Sequence, residues 1–251
     1  MSVNLLYITL NAVNYFMKTG GAKSKERKKK IRYNLGTILS ARGLVMNLPG
    51  EQVVELPISK INEAAVLLSK VFWDDPMTVF LYPDIAERRD LQPWFYELNI
   101  EHAAVGGELY TTSSFKGIAI WRFPGDETRR KVEADKDPRN RLPELMGAGP
   151  FERLMVITEC IYAMHRSLVK GKHCYLLFLG VEPGQQQQGI GSLLIKPVLK
   201  RADEEGLPCY LETMKEVNLA FYGKHGFRVG DEKQIANGGP HIWALLRSPG
   251  A

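Results

Sequence analysis

No run of apolar residues approaches the ~18 that a membrane-spanning helix requires, although 45% of the 251 residues are apolar. A helical membrane bundle is therefore excluded, and 24% charged residues mark an ordinary globular composition. Cysteine is scarce: Cys160, Cys174 and Cys209 are odd in number and show no CxxC spacing, so neither a disulfide framework nor a zinc site is expected. The five histidines form no H-E-x-x-H pattern, and no metal site is expected. Acidic residues are nearly missing from the first fifty positions, which hold nine Lys/Arg against Glu26 alone, a charge of +8; the remainder holds 24 basic against 27 acidic residues. The basic balance thus belongs to the leader. A body of charge −3 argues against a duplex-gripping domain and suits a cationic amine substrate.

Residues 1–50 read as a basic extension outside the folded domain of residues 51–251. The order of NLLYITLNAVNYFM followed by GGAKSKERKKKIR reverses that of a secretory signal. The readings are a disordered leader or one preceding a start near Met46, a targeting or membrane-surface segment with mitochondrial import included, or a tail that binds nucleic acid or a partner. A cytoplasmic protein, monomeric or homodimeric, with no membrane span and no stable nucleic-acid partner is the expectation.

The body alternates strand and helix patterns. A strand is expected over 52–58 and a helix over 58–73, closed by a turn at Asp74-Asp75-Pro76. A second helix covers Ile85 to Ala104. ELYTT (108–112) and GIAIWRF (117–123) read as an antiparallel hairpin, and an amphipathic helix runs from Phe151 to about Val169. CYLLFLGV (174–181) is a buried strand, GIGSLLIKPVLKRADEEG (189–206) a helix stopping at Gly206, and PCYLETM (208–214) a second buried strand, together a β-α-β unit. A short helix over 218–225 and strands at FRVG (227–230) and HIWALLR (241–247) complete the chain.

A strand that runs into a glycine-rich loop and a helix start is an anion site, because leading amides and the positive dipole end face the ligand. The loop Gln186–Ser192 has this setting. It is not a P-loop, since Gly191 is followed by Ser192 and Leu193 rather than Lys-Ser/Thr. It departs from a dinucleotide fingerprint at Leu194, where glycine is required, although Glu212 lies near the distance expected of a ribose-binding acid. A third pattern is Q-x-x-G-x-G at Gln186 to Gly191, preceded by V-x-P at Val181 to Pro183. Together with N-x-x-x-Y...GF at Asn218, Tyr222, Gly226 and Phe227, it resembles the GNAT acetyltransferase superfamily. GIAIWRFPG, FWDDPMTVFLYPD and HIWALLRSPGA add likeness to its branch containing puromycin N-acetyltransferase.

The resemblance implies the GNAT acyl-CoA N-acyltransferase fold in the α/β (α+β) class. The expected sheet is mixed and mostly antiparallel, splayed at its two parallel strands, with helices on both faces. It implies an N-acetyltransferase that takes acetyl-CoA as acetyl donor, uses no metal, and acts on a small-molecule amine. Backbone of Gln186, Gln187, Gln188, Gly189, Ile190, Gly191 and Ser192 would hold the diphosphate, with Leu179 and Val181 pairing the pantetheine and Asn218 contacting it. Tyr222 would be the general acid. Gln187 stands where the superfamily often has glycine. Glu212, near the end of its strand, is the preferred general base, ahead of His173 and His241. Asp74 and Asp75 read as turn residues or as partners of a cationic acceptor. Trp121 and Trp243 read as sheet residues, and Cys174 and Cys209 as small buried residues in adjacent strands. Rival readings are an acyl-CoA-binding module without turnover and, disfavoured by Leu194, a nicotinamide-dependent oxidoreductase.

Overall fold

The computed structural model describes residues 50–124 and 137–251; the readings made for residues 1–49 lie outside the described residues. One seven-stranded sheet organises what is described. It contains β1 (Val53–Glu55), β2 (Glu108–Thr112), β3 (Gly117–Arg122), β4 (Cys174–Val181), β5 (Cys209–Thr213), β6 (Arg228–Gln234) and β7 (His241–Arg247), in the order β1-β2-β3-β4-β5-β7-β6. Every neighbouring pair is antiparallel except β4 and β5.

Side chains alternate between the two faces of a strand, and the core divides accordingly. Ile118, Ile120, Tyr210, Ile242 and Ala244 meet α1 (Ile61–Val71), α3 (Ile85–Ala104) and α5 (Ala148–Leu168) on one face. Ala119, Trp121, Cys174, Leu176, Cys209, Leu211 and Leu245 meet α6 (Ile190–Glu204) on the other. α1 follows from its apolar spacing: Ile61, Ala64, Ala65, Leu67 and Leu68 are buried on one side, and each large aliphatic chain so placed contributes roughly 1.5–3 kcal/mol relative to exposure. Its approach to β4 depends on Gly180, where a Cβ would fall 2.8 Å from Leu68 Cδ2.

The central feature is a short parallel contact. β4 and β5 pair only at Cys174 opposite Cys209 and Tyr175 opposite Tyr210. Beyond that rung β4 stays with β3 as far as Val181 opposite Gly117, while β5 stays with β7 as far as Thr213 opposite Trp243. Between them β4 is bulged: Ile120 and Trp121 of β3 face Phe178 and Leu176, so Leu177 is extra. A bulge bends its strand, and here it lies where the two parallel strands part.

Three boundaries differ from the sequence reading. β1 is three residues long, and one further bond, Leu56 N to Leu109 O, carries its edge onward. β6 runs to Gln234 instead of ending at Gly230. Asp74-Asp75-Pro76 closes no simple turn: Asp75 caps a six-residue helix, α2 (Pro76–Leu81), accepting from the Met77 amide at 3.0 Å with Pro76 at the first helical position. That is a standard N-terminal signature, hidden in the sequence by the short run that follows. α4 (Leu142–Met146) precedes α5, and α7 (Val217–Gly223) follows β5.

Candidate active site

A cavity of about 250 Å³ opens where β4 and β5 separate. Leu176 to Leu179 of β4 form one wall, Glu212 to Met214 a second, Asn218 and Tyr222 of α7 a third, and side chains of α2, α3 and α5 the roof. The roof is aromatic. Phe72 stacks on Tyr96 at 5.6 Å, and Phe178 meets both edge-on at 6.2 and 5.6 Å.

Glu212 lies deep on the β5 wall. Its Oε2 accepts from the Tyr175 hydroxyl at 2.7 Å, whereas Oε1 is buried without a hydrogen-bond partner among the described residues. Burial pushes this carboxyl up to about 7, against the hydrogen bond from Tyr175 and a weaker influence of Tyr210. The Tyr210 hydroxyl stands close to the carboxylate without hydrogen-bonding geometry. At neutral pH such a group is divided between acid and base, which is the state a proton acceptor needs.

Tyr222 closes the other end. Its ring packs edge-on against Phe221 and Phe227, at 5.2 and 5.8 Å, and the residue is 8% exposed. Burial, seconded by the charge of Asp75, pushes the phenol up, so it remains a proton donor throughout the physiological range. Asn218 donates to Thr213 Oγ1 at 2.9 Å, tying α7 to the tip of β5. Asp75 is buried beside this end; desolvation raises its carboxyl, opposed by the Met77 amide and Lys215.

The loop from Val181 to α6 is closed by its own glutamines: Gln186 Nε2 donates to Val181 O at 3.1 Å, and Gln188 Nε2 to Gly184 O at 3.5 Å. Gly189 is left-handed (φ +84°) at the helix N-cap. The first bond of the α6 ladder is Leu193 N to Gly189 O, so the amides of Ile190, Gly191 and Ser192 precede it and point out of the helix end. Gly191 lets Phe221 approach, since a Cβ there would lie 3.2 Å from the ring tip; the loop therefore touches the residue next to Tyr222. Ser192 Oγ pairs with His225 Nε2 at 2.8 Å.

Residues 143–227, the span from α4 through the loop to Phe227, match the family described as acetyltransferase (GNAT) family. Over this span, about a third of its length, the chain is similar to the GNAT acetyltransferases. An uncharacterized N-acetyltransferase of Schizosaccharomyces pombe is 27% identical over 180 residues, 66% of this chain and 70% of the relative. Among solved structures, a protein described as histone acetyltransferase HPA2 and related acetyltransferase from Corynebacterium glutamicum is similar at TM-score 0.59 and 22% identity, covering 79% of this chain and 96% of that one. Arylalkylamine N-acetyltransferase 2 of Aedes aegypti is similar at TM-score 0.53 and 10% identity, covering 79% and 98%. These last two likenesses concern the fold.

GNAT enzymes take acetyl-CoA as co-substrate, and the residues present fit it. The leading amides of α6 behind left-handed Gly189 suit a diphosphate. The β5-side edge of β4 past Tyr175, where Leu179 and Val181 lie, has no strand partner among the described residues. Of the residues singled out in sequence, the fold brings Leu179, Glu212, Asn218, Tyr222 and Asp75 to one cavity, with the Gln186–Ser192 loop adjoining it through Phe221. Asp74 is turned to solvent, 84% exposed and 3.9 Å from Arg88. Trp121 and Trp243 pack on the α6 face. His173 pairs with His165 at 2.8 Å, and His241 lies 3.5 Å from Glu232; neither lines the cavity. Sequence reasoning missed Tyr175, Tyr210 and the roof aromatics. The two tyrosines had left a trace, one phenol at the second position of each buried parallel strand.

Proposed function

We propose that the folded body, residues 51–251, transfers acetyl from acetyl-CoA directly to the amine of a small molecule. Bound acetyl-CoA supplies an activated thioester. Glu212 takes the proton of the acceptor's ammonium, freeing its lone pair. Tyr222 gives its proton to the departing sulfur, which as a free alkyl thiolate is a modest leaving group. Gln186 to Ser192 hold the diphosphate by backbone, Leu179 and Val181 present the open strand edge to the pantetheine, and Asn218 completes that contact. The observation that carries the reading is the placement of Glu212 and Tyr222 on the walls of one cavity at the parting of β4 and β5.

The walls favour an acceptor with an apolar body behind its amine. Phe72, Tyr96 and Phe178 offer ring faces and edges, Met77 and Met155 add adaptable sulfur, and Asp75 adds a second carboxyl. The likeness of several segments to the puromycin N-acetyltransferase branch adds amino-nucleosides to the compounds worth trying, although one fold serves many acceptors. Thiol release from acetyl-CoA over a panel of arylalkylamines, amino-nucleosides, polyamines and a lysine peptide tests the proposal. Turnover confined to the small amines is expected. Acetyl-CoA binding without turnover on any amine would leave only the binding-module reading.

A further inference from the structure

Tyr175 and Tyr210 form the last rung that joins β4 to β5. Side chains of a strand return to the same face every second residue, so Glu212, two positions past Tyr210, shares the face of both phenols. The diagonal from Tyr175 to Glu212 is one that a long aromatic side chain can span, and the Tyr175 hydroxyl does span it, donating to Glu212 Oε2 at 2.7 Å. Past this rung the two strands have no backbone pairing, so the tie between them is carried by side chains.

We infer that Tyr175 is the positioning residue of the catalytic base: it fixes Oε2 of Glu212 across the splay and leaves Oε1, which accepts no hydrogen bond among the described residues, to receive the ammonium of the acceptor. The inference rests on Glu212 being the base. Tyr175 is itself held from behind, at 5.2 Å from the His165 ring and 5.4 Å from the Tyr210 ring, so its hydroxyl has little choice of direction. Its own phenol is pushed well up by burial and by the negative charge of Glu212, eased slightly by Arg122, and it therefore stays a donor at any working pH.

The titratable groups around Glu212 come from five elements. Tyr175 of β4 bonds it and Tyr210 of β5 stands beside it. Cys160 and His165 face the group from α5, Cys160 being sensitive to the Glu212 charge and His165 stacked on Tyr210 at 4.5 Å. Arg122 of β3 acts on Tyr175 and His165, and Asp231 and Lys233 of β6 act on Cys160. Among the described residues, only Tyr175 makes a hydrogen bond to the carboxylate from another strand.

The experiment is a set of pH profiles of kcat/KM for the full chain, Tyr175→Phe and Glu212→Gln. Tyr175→Phe keeps the ring and its contacts and deletes only the donor. Loss of a hydrogen bond to an ionised group is expected to move the acidic limb upward by about one pH unit or more, lowering kcat/KM about fivefold or more near pH 7 and little at pH 9. A carbon-13 titration of labelled glutamate, with the Glu212 signal assigned by its absence in Glu212→Gln, is expected to show the same upward move. An unmoved limb and an unmoved signal in Tyr175→Phe, with Glu212→Gln inactive, would overturn the role of Tyr175 alone. Wild-type rates in Glu212→Gln would overturn the assignment of the base, and the role of Tyr175 with it.

Discussion

Tyr222 combines two tasks in one side chain. Its ring belongs to the cluster under α6, against Phe221 and Phe227, while the residue also lines the cavity. Tyr222→Phe preserves the ring packing, so the melting temperature and the affinity for coenzyme A should hold. Positioned proton transfer typically contributes 10²–10⁴-fold, and kcat is expected to fall by ~10²-fold or more; an unchanged kcat would sink the role of general acid. Glu212 carries the opposite burden. Its carboxyl is raised from 4.5 to about 7 in the folded protein, so the folded state holds its proton more tightly than the unfolded chain. Below pH 4.5 both states are protonated and the site is neutral in effect; as pH rises to 7 the unfolded chain ionises first, and stability is lost until the folded carboxyl has ionised too. Glu212→Gln should therefore inactivate the enzyme yet be more stable above pH 7, by on the order of 1–3 kcal/mol, with the advantage vanishing near pH 4. Denaturant melts at both pH values check this, and a variant less stable at pH 8 than the wild type would refute it.

At the scale of elements, the loop into α6 shows what one residue choice does to backbone. Gln187 lies in the left-handed region at φ +61°, where a side chain costs roughly 1–2 kcal/mol relative to glycine. The superfamily's frequent glycine is thus replaced at a position whose geometry favours glycine, and the loop retains its shape through the Gln186 and Gln188 side-chain bonds to Val181 and Gly184. Gln187→Gly is expected to raise stability by up to about 1 kcal/mol, with part of the gain offset by the freer unfolded chain; a lower melting temperature would contradict the strain. The same elements explain what could be read beforehand. β4, α6 and β5 were legible because each declares itself locally, through an apolar run or a helical spacing opened by Gly189 and closed at Gly206. The Gln186–Ser192 loop was legible because glycines stand at fixed positions. The Tyr175–Glu212 bond was not, since it depends on the register of two strands 35 residues apart in their paired tyrosines, Tyr175 and Tyr210. α2 escaped because six residues carry too little periodicity to outweigh a proline.

For the whole molecule, the two halves of the site are joined by the same β4-α6-β5 unit, so occupancy of one should be felt by all of it. Arg247 reinforces the unit from outside, bonding both carboxylate oxygens of Asp203 on α6 at 2.6 and 2.8 Å and the His225 carbonyl at 2.9 Å. A ligand that binds only the folded chain stabilises it by RT ln(1 + [L]/Kd), about 2.7 kcal/mol at a hundredfold excess over Kd. For a body of this size that corresponds to a rise of roughly 5–10 °C in melting temperature. Acetyl-CoA is expected to produce this rise and NAD none, because Leu194 fills the place where a dinucleotide fingerprint needs glycine and its side chain is buried against β3. Gly189→Glu sets a carboxylate at the mouth of the leading amides of α6, and should abolish the acetyl-CoA shift while the far-ultraviolet circular dichroism is retained. A shift with NAD, or an acetyl-CoA shift that survives Gly189→Glu, would remove the loop from the cofactor site and with it the reason for placing the acetyl group between Glu212 and Tyr222.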